Sequence, residues 1–466
     1  MKVYRLLTLL LFCSLATFLV ALHSPGEMSV DSVMALYEAM KGTAIGWGPT
    51  FMASVLAWLG GGTIGASLFV ALMSLLTYGC FLALILNHNR AEVPAWQIPL
   101  AFLLALNPLF MFYVGIIWKD VLQATMVMVA ATLVLLSVDR RGVIRGVLIG
   151  AAIVITGTLI PIRQQGVLLF IPIVATVVWL TVRNAEHSER LKLAAKTGFI
   201  VVASLSCAFL FYFLSSKTVR PQPNGPVSTG ILTIQAYDIA GMIAYAPDGD
   251  QSVWSETTPE TRTQIKNNYS SERIDTIWHI EGVRQYFNSL SAGQYTKIWL
   301  GGIEHNPKVY LKSRLAAFSS LLGLNDIKGC VPAFWGIGAL PDQVAALSIQ
   351  NGMNARARLV GHTAMSLYGT PVFRNWFYAA LLGIASVVVI VRAKGGAKIA
   401  LLGCIVAAWL YFVSYLPTTI ACDFRYLYPV AGLTTVVLIF LLTRVPLLGA
   451  RNKPPRDHSQ WKHSGP

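Results

Sequence analysis

The chain has 466 residues, 55% of them hydrophobic and only 12% charged, with a mean hydropathy of +0.60, a formal net charge of +15 and a pI near 9.6. So little polar residue content does not cover a soluble globule, so the composition excludes that class and points to the membrane. The basic residues lie mostly in short loops and the tail, where they report topology and anionic headgroups, and no zinc-type Cys/His spacing, P-loop or nucleic-acid module accompanies them; no nucleic-acid partner is expected.

An apolar run of about 20 residues spans a bilayer. Ten spans are expected, near 5–22, 64–86, 98–117, 121–138, 146–162, 166–182, 197–215, 375–391, 399–416 and 427–443. The first resembles a signal peptide, but nine further spans follow it and no small-x-small cleavage site is clear, so it reads as an uncleaved anchor. With the N-terminus inside, eighteen Lys and Arg fall in inner segments, four in short outer loops and fourteen in one long outer loop, which the positive-inside rule does not weigh. Both termini are therefore expected in the cytoplasm. The organisation is a transmembrane core over 1–215 of about seven spans, with a first outer loop at 23–63; a large outer loop domain over 216–374; about three spans over 375–444; and a basic tail over 445–466.

In the first outer loop, Ser29 is a plausible N-cap, and Val30, Val33, Met34, Tyr37 and Met40 recur at helical spacing, which predicts a short amphipathic helix on the membrane. Asp31 sits in its first turn. The plain reading is an acid favouring the helix dipole; the functional one is a carboxylate able to take a proton from an acceptor hydroxyl. Thr50–Leu59 is apolar but only about ten residues long, too short to span, and reads as interfacial or re-entrant. Trp118-Lys119-Asp120 forms a second outer turn, Arg163-Gln164-Gln165-Gly166 a third, and Asp423-Phe424-Arg425-Tyr426-Leu427-Tyr428-Pro429 a fourth. An outer Arg runs against the positive-inside bias. A local acid is one reason for it, as Asp423 would be for Arg425; a lipid phosphate, matched bidentately by guanidinium, is the other.

The long loop is polar at first, with helical patterns near 279–300 and a helix after Asn306-Pro307. Its size marks a functional segment or small domain. Cys13, Cys80, Cys207 and Cys404 fall in apolar runs, whereas Cys330 and Cys422 fall in outer segments, where an oxidising compartment allows a disulfide. The spans carry no Asp, Glu, Lys or Arg in their interiors, which argues against ion-coupled transport.

The set and order of these outer motifs resembles the GT-C superfamily of membrane glycosyltransferases, in particular bacterial members that use a polyprenyl-phosphate sugar. Pro25-Gly26, Asp31-Ser32, the helix to Met40 and Trp47-Gly48-Pro49 match the first outer loop of that family. Lys119-Asp120 is similar to its second-loop Lys-Asp, and Arg163-Gln164-Gln165-Gly166 to an Arg-x-x-Gly turn. His305-Asn306-Pro307, Tyr310, Arg314 and the Asp423–Pro429 segment are similar to late-chain patterns. One position departs, with Gly48-Pro49 standing where the family has His-Pro.

The resemblance implies an all-α integral membrane fold, GT-C-like, with about ten transmembrane helices, the amphipathic helix in the first outer loop and one large periplasmic loop domain. It implies an inverting enzyme of the bacterial cytoplasmic membrane. Asp31 would be the general base, and Asp120 would orient the acceptor or the base. Lys119, Arg163 and Arg425 would bind the donor phosphate. Trp47, His305, Tyr310, Arg314 and Tyr426 would contact the acceptor or the loop. The donor would be a polyprenyl-phosphate sugar and the acceptor a glycan or lipid; no cofactor and no divalent metal is expected. Two other readings stay open: an O-antigen-type polymerase or ligase leaning on Arg163, Arg314 and Arg425, and a non-enzymatic lipid or glycan transporter.

Overall fold

The computed structural model describes residues 2–46, 48–88, 93–182, 190–221, 229–247, 257–325 and 329–447. Helices make up all the regular structure among these residues. The first are α1 (Lys2–His23), α2 (Val30–Lys41), α3 (Phe51–Trp58), α4 (Gly62–Leu86), α5 (Gln97–Ala105), α6 (Pro108–Tyr113), α7 (Lys119–Ser137), α8 (Gly142–Gly157), α9 (Leu159–Ile162), α10 (Val167–Val182) and α11 (Arg190–Thr218). The long loop folds into α12 (Thr229–Tyr245), α13 (Pro259–Asn268), α14 (Asp275–Trp278), α15 (Glu281–Ser289), α16 (Ala292–His305), α17 (Pro307–Leu322), α18 (Pro341–Ala346) and α19 (Ala355–Met365). The chain closes with α20 (Asn375–Arg392), α21 (Gly395–Thr418) and α22 (Tyr428–Arg444).

Nine helical segments among the described residues are long and apolar enough to cross a membrane. The tenth expected span, 98–117, is instead broken into α5 and α6. Pro108 stands at the break: it has no N–H to donate and its ring crowds the preceding turn, and Asn107 leaves the helical conformation before it. Asn107 takes over the break, its side chain accepting from Leu109 N at 3.0 Å and donating to Tyr378 Oη at 3.0 Å. The broken pair still carries the chain across. Gln97 at its start donates to Leu442 O and Val445 O, at 3.1 and 2.9 Å, by the end of α22. Tyr113 at its finish stacks on Tyr428 at the start of α22, 4.4 Å between ring centres. The face of Gln97 also holds Arg140–Asn87 and Arg444–Asp139, both at 3.1 Å. The opposite end, called here the site face, gathers the starts of α2, α7 and α22.

Helices α7 and α22 pack on each other and are almost wholly enclosed. Helix α11 leaves Leu191, Phe199, Phe209 and Phe213 exposed, as a helix facing hydrocarbon would. The long loop builds a core of its own from Tyr237, Ile243, Ile265, Phe287 and Tyr295, while α19 packs Val360 and Ala364 into the main core. Three expectations shift in detail. The α2 helix has the expected position and N-cap, but its packed face is Ser32, Val33 and Leu36; Val30 and Met40, assigned to the apolar stripe, are exposed. The run 50–59 is a short helix, α3, laid against α2 and α11. Lys119 and Asp120 belong not to a turn but to the first turn of α7.

Candidate active site

The first loop reaches the site as a threaded segment. Glu27 N donates to Gly115 O at 2.8 Å, Ile117 N to Glu27 O at 3.0 Å and Met28 N to Gly336 O at 2.8 Å. Gly26 has φ +124° and lies so close to Ile117 that a Cβ would collide with it. Past this segment Ser29 opens α2: Ser29 N donates to Ser32 Oγ at 3.1 Å, and Trp118 Nε1 donates to Ser29 Oγ at 2.8 Å. Asp31 is thereby fixed beside Trp118, just before α7. Further along α2, buried Glu38 accepts from Ile45 N and Gly46 N at 2.7 and 2.6 Å, which turns the chain toward Gly48 and Pro49.

Trp118 is extended, and Lys119 and Asp120 follow as the opening of α7. Arg163 is the extended residue between α9 and a 3-10 turn, Gln164–Gly166. That turn demands glycine at 166, because a Cβ there would run into the Leu159 carbonyl. Arg425 sits in the 3-10 turn Phe424–Leu427 that feeds α22. Four chain segments remote in sequence thus converge, and Asp31, Trp118, Lys119, Asp120, Arg163, Arg425 and Tyr426 all line one inner chamber of about 140 Å³.

The charges are organised in two sets. Asp120, 1% exposed, forms an ion pair with Arg163, 11% exposed. Arg163 lies over the rings of Tyr426 and Tyr415, at 5.0 and 5.6 Å, and donates from Nε to Gln165 at 3.1 Å. The other set is a chain. Arg425 Nη1 donates to Asp31 Oδ2 at 2.7 Å, Arg425 meets Asp423 at 3.3 Å, and Arg273 Nη2 donates to Asp423 at 2.8 Å. Arg425 also lies over the Trp118 ring at 4.7 Å. Partial enclosure works against ionisation of Asp31, but the positive charges of Arg425 and Lys119 outweigh it and hold its carboxyl below the ordinary carboxylate value. At position 48 a Cβ would lie 3.5 Å from Lys119 Nζ, so any larger residue there would stand against that ammonium.

A second, larger cavity of about 700 Å³ adjoins the first, and Asp31, Trp118, Arg425 and Tyr426 line both. Its far wall comes from the long loop, through Arg273, Asp275, Trp278 and the 329–334 segment. This wall is tied down. Cys330 and Cys422 form a disulfide, Ile274 N donates to Ile420 O at 3.0 Å, and Cys422 N donates to Glu272 O at 2.7 Å.

Of the residues singled out from the sequence, Asp31, Asp120, Lys119, Arg163, Arg425 and Tyr426 come together. Trp47 lies outside the described residues. His305, Tyr310 and Arg314, expected to contact the acceptor or the loop, line neither cavity and make loop contacts instead: His305 is exposed and bonds Gly301 O of its own helix at 2.9 Å, and Tyr310 packs on the loop core. Arg314 is buried in an ion pair with Asp238 and donates to Thr419 O at 2.7 Å, so its charge is spent on holding α12 and α17 to the end of α21. Asp120 is likewise committed to Arg163, which makes it a positioning residue, although its Oδ2 keeps no hydrogen-bond partner among the described residues. The sequence reading missed Glu38, Arg273, Asp275 and Trp278. Only the cysteine pair hinted that this part of the loop belongs at the site.

No protein-family profile and no curated protein matches the chain. Among solved structures, the crystal structure of ArnT from Cupriavidus metallidurans in the apo state is similar over 93% of this chain and 77% of that one, at 17% identity and a TM-score of 0.35. At that distance the functional reading rests on the geometry of the site itself.

Proposed function

We propose that the chain is an inverting membrane glycosyltransferase that moves a sugar from a polyprenyl-phosphate donor to an envelope glycan or lipid acceptor. The observation that carries the reading is the 2.7 Å Asp31–Arg425 contact on the partition shared by the two cavities. It sets a carboxylate of lowered pKa and a phosphate-binding guanidinium at one point, with cationic groups on one side and a roomy vestibule on the other.

The donor phosphate takes the inner chamber, beside Lys119, Arg163 and Arg425. Met34, Met52 and Ala53 on its apolar side suit the first isoprene units. The acceptor enters the vestibule. Asp31 accepts the proton of its hydroxyl, the oxygen forms a bond to the sugar C1, and the bond from C1 to the phosphate oxygen breaks, its electron pair leaving with polyprenyl phosphate. The three cations offset the charge that grows on that oxygen. One base and one direct displacement invert the anomeric carbon. Charge neutralisation by side chains assigns no step to a divalent metal. The Cys330–Cys422 disulfide supports a site face turned to an oxidising compartment; on this reading both termini lie on the cytoplasmic side of a bacterial inner membrane. The polymerase or ligase reading leaned on Arg163, Arg314 and Arg425; of these, Arg314 is taken up by the Asp238 pair.

The test compares wild type with Asp31→Asn, at matched levels, in a strain deleted for the protein. Asn keeps the size and a hydrogen bond but cannot accept the proton, so glycan transfer should fall roughly 10²- to 10⁴-fold while the protein still folds. Polyprenyl phosphate release from a donor pre-loaded into membranes should fall with it. If Asp31→Asn restores the same surface glycan mass as wild type, the carboxylate is only a helix-start acid and the mechanism is wrong. A transporter would release no polyprenyl phosphate with either version.

A further inference from the structure

The vestibule has a charge pattern of its own, distinct from that of the inner chamber. Three carboxylates line it, Asp31, Asp275 and Asp423, against two guanidiniums, Arg273 and Arg425. Neither guanidinium stands apart from an acid. Arg273 meets Asp423 at 2.8 Å and Asp275 at 3.7 Å, and Arg425 meets Asp31 at 2.7 Å and Asp423 at 3.3 Å. An anion entering here would have to displace carboxylates from both and would still face a net negative wall, whereas in the inner chamber Asp31, Glu38 and Asp120 are matched in number by Lys119, Arg163 and Arg425.

The same wall offers what an uncharged polyol needs. Ionised carboxylates accept from hydroxyl groups, and Asp275 is 55% exposed to do so. Trp278 is half-buried and braced edge-on by Phe287 at 5.5 Å, so a rigid aromatic surface stands beside these groups. Apolar and aromatic walls with a few convergent polar groups are the usual build of a small-molecule site.

From this we infer that the vestibule binds the acceptor as a neutral saccharide, resting against Trp278 with its hydroxyls between Asp275 and Asp423, and that it disfavours phosphorylated acceptors. The inference rests on the glycosyltransferase reading for the word acceptor, but its binding chemistry is tested without transfer.

The probes are the methyl glycosides of glucose, galactose, mannose and N-acetylglucosamine, together with the corresponding 6-phosphates. Saturation-transfer NMR is run on the full chain in detergent. At least one methyl glycoside should receive saturation, and its 6-phosphate should bind more weakly. Trp278→Ala should weaken the glycoside roughly two- to tenfold, as loss of one aromatic contact would. Asp275→Asn, which is exposed and disturbs little packing, should weaken it too and narrow the gap between glycoside and phosphate. Binding of the 6-phosphates at least as tight as that of the glycosides overturns the inference, as does an unchanged affinity in Trp278→Ala or no binding by any glycoside. Glycoside binding in a protein that releases no polyprenyl phosphate would leave the saccharide site standing and remove the glycosyltransferase reading instead.

Discussion

The inner chamber and the vestibule share one partition yet are built by different means. The chamber takes its charges from helix starts and tight turns of the transmembrane core: α2 gives Asp31, α7 gives Lys119 and Asp120, and the turns before α10 and α22 give Arg163 and Arg425. Its Asp120–Arg163 pair is buried, so each charge depends on the other. The vestibule takes its far wall from the short helix α14 and the irregular segments beside it, and its Arg273–Asp275 pair is 32% and 55% exposed. A buried pair fixes geometry at high stakes; an exposed pair is held mostly by water and can be redirected by a ligand. The wall therefore owes its place to the disulfide and the backbone bonds around it rather than to its ion pairs.

Breaking the buried pair should have the largest effect on stability. Asp120→Ala leaves Arg163 buried without its counter-charge and should cost about 3–5 kcal/mol in thermal or denaturant unfolding in detergent. Replacing both Cys330 and Cys422 by Ser should cost about 2–4 kcal/mol, because the bridge closes a loop of 92 residues. Transfer to acceptor should then fall more than hydrolysis of donor, since the cut falls on the vestibule side. The third change sharpens the link between the compartments. In Arg425→Gln the largest of the charges that lower the Asp31 pKa is gone while the enclosure that raises it remains. A general base works only when ionised, so the acid limb of the rate should move to higher pH than in the wild type. A limb that stays in place would mean that another group is the base. Smallest of all, Arg273→Ala should alter stability by no more than about 1 kcal/mol, as expected of a partly exposed pair, and show itself in the acceptor KM. Chelation with EDTA should leave the rate unchanged; a loss restored by added magnesium would place a metal among the charges of the chamber.

The chamber was legible in the sequence to the extent that its residues mark themselves. An Arg in a segment read as outer runs against a local bias, and an acid in the first turn of an interfacial helix or a Lys-Asp pair at a membrane exit sets charge at the boundary, so Asp31, Lys119, Arg163 and Arg425 stood out one by one. Arg314 and His305 stood out in the same way and went elsewhere, because a charged side chain in a loop domain reads alike whether it serves a site or an internal ion pair. Glu38 left no mark, since its role is to hold two backbone N–H groups seven and eight residues on. Trp278 and Arg273 lay in a polar stretch without periodicity. The expectation of one continuous helix at 98–117 came from hydropathy, which counts apolar residues and is blind to the hydrogen bond that Pro108 cannot make.

By itself the sequence determined the membrane class and most of the apolar segments long enough to cross, because hydrocarbon thickness acts on each segment alone. Only the tertiary structure decided which outer charges meet, that Asp31 faces Arg425 across 394 residues, and that a staple from Cys330 to Cys422 brings the long loop over them. Those contacts are long-range, and nothing local in either partner encodes the other.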